Sequence, residues 1–162
     1  MIEAGGTTLK ASERALLIER YRDGYRAVQE ALDGVTDDEL DRSADDGWTP
    51  RQVVHHLADA EIEGATRIRR LVAEPDAQIR AYDEKLFTER LSRRRPIEAS
   101  VEAMRWARES TAQLLETMTD EDWSRAGTHS ERGRYSAEDW LKGYAPHAHD
   151  HAEQIRKARG RA

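Results

Sequence analysis

Thr36-Asp37-Asp38-Glu39-Leu40-Asp41-Arg42 returns in altered form as Thr119-Asp120-Glu121-Asp122-Trp123-Ser124-Arg125. In both, a hydroxyl side chain precedes three acidic residues and one bulky apolar residue, the pattern of a short capped helical turn. A polar loop follows each copy. Then comes a second hydroxyl residue, Thr49 or Ser136, and a stretch that carries histidines. The chain reads as two helical hairpins built alike, and two such hairpins predict an all-α four-helix bundle with pseudo-twofold character.

Working outward, the first long helix runs from Ser12 to the stop at Gly34. Ala15, Leu16, Tyr21, Tyr25, Val28 and Leu32 fall near its 3.6-residue period, and Gly24 inside it marks a close contact. The second begins with Thr49 as cap and Pro50 at the first helical position, and continues to about Ala73. Val53, Val54, Leu57, Ile68 and Leu71 form its apolar face. The third spans Ile97 to Met118, with Val101, Met104, Leu114, Leu115 and Met118 turned to the core. The fourth opens at the cap Ser136, has Asp139 three residues on, and ends near Gly160. Residues 1–10 read as a loose arm. Residues 76–95 read as a long connection between helices 2 and 3, pinned by Ile79, Tyr82, Leu86 and Phe87, and Gly127 and Gly133 place a loop before the last helix. Residues 1–162 make a single domain with its core at about 12–159.

The 162 residues are 36% charged and 38% hydrophobic, with a net charge of −6, so the apolar residues must be gathered on stripes. An acidic balance argues against nucleic acid as a partner. The basic run Arg90, Arg93, Arg94 and Arg95 reads as a solvated inter-helix loop. There is no cysteine, hence no disulfide, thiolate ligand or cysteine nucleophile. No run approaches a membrane span or a signal-peptide core. The expectation is a cytoplasmic protein with no membrane partner, and homodimerisation fits a small bundle.

Chemistry concentrates in Tyr144-Ala145-Pro146-His147-Ala148-His149-Asp150-His151. His147 and His151 are four apart, so on a helix both imidazoles reach one point, as in i, i+4 metal-binding pairs. His149 points elsewhere. On the second helix His56 lies beside the core position Val53, where the bundle holds it opposite the fourth helix. Its neighbour His55 is the rival ligand. Three protein ligands with one open position is the pattern of a catalytic zinc site. His129, in a glycine-containing loop, reads as solvent-exposed, and Arg51 as a surface arginine. Asp59, three residues after His56, reads as a carboxylate behind the ligands, and Tyr82, Asp83 and Glu84 as the mouth of a substrate pocket.

Trp48-Thr49-Pro50-Arg51-Gln52-Val53-Val54-His55-His56-Leu57-Ala58-Asp59 resembles the signature of the DinB/YfiT-like metalloenzymes. So do Ile79-Arg80-Ala81-Tyr82-Asp83-Glu84 and Tyr144-Ala145-Pro146-His147 with His151, and the likeness spans roughly residues 12–157. It implies a four-helix bundle with a divalent metal, zinc or nickel, on His56, His147 and His151. Glu61 stands where the family often has a histidine-type residue. The family implies metal-dependent hydrolases or transferases of low-molecular-weight thiols such as bacillithiol. With no cysteine in the chain, any thiolate must come from a substrate. The leading expectation is a metal-dependent transferase that adds a low-molecular-weight thiol to a small-molecule electrophile. The alternatives are a hydrolase using a metal-activated water, and a bundle that binds metal or small ligands without turnover.

Overall fold

A computed structural model of the protein describes residues 8–44 and 47–161. In chain order its elements are α1 (Ala11–Leu32), α2 (Asp37–Leu40), α3 (Pro50–Ala73), β1 (Gln78–Ile79), α4 (Glu84–Leu91), α5 (Glu98–Thr117), α6 (Asp120–Ser124), β2 (Ala126–His129), β3 (Gly133–Ser136) and α7 (Ala137–Ala158). The long helices α1, α3, α5 and α7 make a four-helix bundle. The short helices α2 and α6 hold equivalent places in its two halves.

Local chemistry sets the helix starts. Thr36, Thr49, Thr119 and Ser136 each accept a hydrogen bond from the backbone N–H three residues on. Glu39, Gln52, Asp122 and Asp139 each accept one in turn from the cap residue's own N–H. These reciprocal boxes satisfy amide groups that a helix start leaves without partners. Left-handed backbone at Gly34 (φ 61°) and Gly160 (φ 69°) turns the chain away after α1 and α7.

The core lies in two apolar clusters. One gathers Ile18, Ile68, Leu71, Leu115, Trp140 and Leu141; the other gathers Val28, Val53, Val54, Leu57, Met104 and Ile155. Between these positions along the helices sits a buried polar group. The Tyr21 hydroxyl donates to Glu61 (2.7 Å), and Arg108 pairs with Glu61 and donates to the Tyr21 carbonyl. Gly24 makes room for it: a Cβ there would lie 2.6 Å from Arg108 Nη2 and 2.7 Å from the Ala148 Cβ. The expected close contact at Gly24 is therefore real.

Several readings change. Leu16 is 72% exposed, and Ile18 takes the inward position on α1. The periodic face of that helix is rotated relative to the expected one. Residues 76–95 are not a bare connection, since they hold β1 and α4. The loop before α7 is the hairpin β2–β3, whose first strand also pairs in parallel with β1. A Cβ at Gly127 would sit 2.3 Å from the Ala77 carbonyl oxygen, so only glycine lets these backbones meet there. Strands of two to four residues carry too few alternating positions to declare themselves in sequence. Residues 1–7 of the expected arm, and Asp45 and Asp46 of the loop before α3, lie outside the described residues.

Candidate metal centre

His56 comes from the first two turns of α3, started by the Thr49 box, and His147 and His151 from the middle of α7. Packing of α3 on α7 brings the three together. His147 Nε2 lies 3.3 Å from His56 Nε2 and 3.2 Å from His151 Nε2. Zinc bonds of about 2.0–2.1 Å at tetrahedral angles set neighbouring ligand nitrogens about 3.4 Å apart, so these spacings suit one shared ion. Among the described residues this is the only cluster of metal-ligating side chains.

Hydrogen positions sharpen the fit. His151 Nδ1 lies 2.7 Å from Gln154 Oε1, an oxygen that only accepts, so the ring hydrogen is on Nδ1 and the Nε2 lone pair is free. His147 Nδ1 is buried without a partner. One hydrogen on His147 Nε2 cannot serve both neighbouring nitrogens along straight bonds. At least one contact then lacks a directed hydrogen bond, whereas a cation at the common point takes all three lone pairs.

The electrostatics agree. Burial first, then neighbouring imidazoles, pushes His56 down to about 4 and His147 down to about 3; burial also lowers His151. Neutral imidazole is the ligating form. Trp48 covers the group, its ring 4.8 Å from His56 and stacked 6.3 Å from His151.

The other candidates fall elsewhere. His55 is fully buried; its Nδ1 meets Ser100 Oγ (2.8 Å) and its Nε2 meets the Arg95 carbonyl (3.2 Å), so it fastens the loop before α5 and is no rival ligand. His149 donates to the Arg20 carbonyl on α1. His129, expected at the surface, is buried on β2 against Tyr135. Arg51 is also buried rather than a surface arginine. It pairs with Asp41 and donates to the Arg95 carbonyl, a partner only the fold supplies. Glu61 points into the buried pair with Arg108. Asp59 is half-buried, with its carboxyl pushed up by burial and no hydrogen bond to the triad. Asp83 is exposed and caps α4 through the Leu86 amide (2.8 Å). Tyr82 is half-buried against Phe87.

Two contributors went unread in the sequence. Gln154 sits three residues after His151, a spacing that announces a shared helix face. Tyr144 sits three before His147 and lies across α3 because position 64 is glycine; a Cβ there would lie 2.4 Å from the Tyr144 ring.

Comparison with known proteins accords with this geometry. The family model described as the DinB superfamily matches residues 20–155. An Oceanobacillus iheyensis protein named "Putative metal-dependent hydrolase" is 30% identical over 85% of this chain and 81% of its own. A Bacillus subtilis protein named "Putative metal-dependent hydrolase YfiT" is 33% identical over 79% of this chain and 74% of its own. The solved structure of YfiT, described as "a probable metal-dependent hydrolase with an unusual four-helix bundle topology", superposes with a TM-score of 0.89 at 28% identity. It covers 96% of this chain and 90% of that one. This chain belongs to the DinB superfamily, as a YfiT-like four-helix bundle.

Proposed function

We propose that the protein is a metal-dependent hydrolase with its metal on His56, His147 and His151. The observation that carries the reading is His147 Nε2 standing 3.3 Å from His56 Nε2 and 3.2 Å from His151 Nε2, with all three ligand atoms within 4.8 Å of one another. The relatives' names favour water as the nucleophile over thiol transfer, the leading expectation from the sequence. Imidazole donors suit zinc or nickel. A divalent ion held there would lower the pKa of a bound water and polarise a carbonyl.

The chain's own groups would do the rest. Gln154 holds the His151 ring and its tautomer through Nδ1–H. Trp48 shields His56 and His151 from solvent. Asp59 lies one turn beyond His56 on the same side of α3, where burial raises its proton affinity; its carboxylate would take the proton that the attacking water loses.

The test begins with metal content of purified wild type against His56→Ala, His147→Ala and His151→Ala. We expect about one equivalent in the wild type and loss in each variant; equal content in all four overturns the site. Metal-loaded protein is then given chromogenic esters and amides, with and without a panel of low-molecular-weight thiols. Hydrolysis without thiol, cut about 100-fold or more in Asp59→Asn that keeps its metal, supports the reading. Turnover that strictly requires a thiol replaces it with the transferase.

A further inference from the structure

Arg67 lies on α3 eleven residues after His56, on the same side of the helix. Nη2 donates to the Arg80 carbonyl (3.0 Å), Nη1 reaches the Tyr144 hydroxyl (3.5 Å), and Nε is buried with no partner. Arg67 forms no ion pair among the described residues, although Arg14, Arg22, Arg51, Arg108 and Arg159 all pair with carboxylates. The guanidinium lies 5.5 Å from the Tyr82 ring, and the Tyr82 hydroxyl is also buried without a partner. Its charge also acts on Tyr135, Tyr144 and His129. Asp59, Glu63 and Glu84 act on Tyr82, yet none pairs with Arg67.

Two buried donors without a hydrogen bond, one of them on a cation in no ion pair, make a costly arrangement that an incoming anion relieves. Its position is informative. Tyr144 touches Arg67 through its hydroxyl and His147 through its ring, with centroids 6.0 Å apart. One tyrosine ring therefore separates the cation from the triad.

We propose that Arg67 and Tyr82, walled by Tyr144 and Phe87, form a subsite for a carboxylate that the substrate carries at a distance from its reacting bond. One carboxylate oxygen accepts from Arg67 Nε–H and the other from Tyr82 O–H, and the existing bonds of Nη1 and Nη2 stay in place. The aromatic walls suit an apolar or aromatic body between the two ends. The subsite rests on the hydrolase reading only for the reaction it serves.

The test is calorimetric titration with benzoate, its neutral isostere benzamide and inorganic phosphate. The proteins are the metal-loaded wild type, Arg67→Met, Tyr82→Phe and His151→Ala. Benzoate binding should weaken at least about tenfold in Arg67→Met and several-fold in Tyr82→Phe, and persist in His151→Ala. Benzamide should bind weakly and without regard to residue 67. Equal benzoate affinity in wild type and in an Arg67→Met protein with unchanged melting overturns the subsite. Phosphate binding with the same Arg67 dependence and greater strength overturns the carboxylate assignment. If Arg67→Met does not fold, Tyr82→Phe, which deletes one atom, decides the matter by the same criterion. Arg67-dependent benzoate binding in a protein that hydrolyses nothing leaves the subsite standing and removes the hydrolase. Hydrolysis with no Arg67-dependent binding does the reverse.

Discussion

His147 is the residue on which the centre turns, since its Nε2 faces both other imidazoles and its buried Nδ1 has no hydrogen-bond partner. Its partner His151 owes its tautomer to a single amide. Gln154→Ala should therefore weaken metal affinity about 10–100-fold without abolishing it, as read by competition with a chromogenic chelator. Protonation gives a second expectation. His56 and His147 titrate at about 4 and about 3 in the folded chain, below the ordinary 6.5. Between those values the unfolded chain binds protons that the folded chain refuses. Their contribution to stability is complete above pH 6.5 and drains away as pH falls toward 4 and 3. Metal-stripped protein should melt lower at about pH 4.5 than at about pH 7, and His147→Gln should show a smaller fall. An equal fall in the variant assigns the loss to other groups.

At the scale of elements, the four capping boxes explain why the helix starts were legible. Cap, acidic or amide partner and Pro50 all sit within four residues of one another, so the signal is local. Loss of the Thr49 hydroxyl in Thr49→Ala should cost about 1 kcal/mol in chemical denaturation. The sheet was illegible for the opposite reason. β1 pairs with a strand some fifty residues later, and its partner owes its approach to the missing side chain of Gly127. Helix crossing shows the same dependence on absent atoms. Gly64→Ala puts a methyl group into the Tyr144 ring and should destabilise by about 1–3 kcal/mol, with a change in near-ultraviolet dichroism as the Trp140–Tyr144 stack shifts. Unchanged stability there means that α3 and α7 can part at no cost.

Across the whole molecule, α3 and α7 come from different halves of the chain, and the histidine triad joins them. Saturating zinc or nickel at 100 times its dissociation constant should raise stability by about 2.7 kcal/mol, visible as a higher melting temperature. The same addition should leave His151→Ala unmoved, and an unmoved wild type removes the coupling. The Tyr21–Glu61–Arg108 layer ties α1, α3 and α5 at the bundle's middle. Arg108→Met strands a buried carboxylate and should cost about 3–5 kcal/mol, and the double change with Glu61→Leu should recover much of it. No helix among the described residues is long and apolar enough to cross a membrane.

By itself the sequence determined the four long helices, their caps and the pair His147–His151, because each is written in residues a few positions apart, and the doubled plan, because each of its two copies is a local pattern. The tertiary structure decided between His56, expected beside that pair, and its rival His55, which serves a loop. It also buried His129 and Arg51, and set Arg67 against Tyr144 and Tyr82 without an ion pair. Neighbouring residues on a helix point about 100° apart, and which of two adjacent histidines meets a distant helix depends on the rotation of that helix in the bundle. That rotation is set by packing across the core, at Gly24 against Arg108 and at Gly64 against Tyr144, and no local run of residues encodes it.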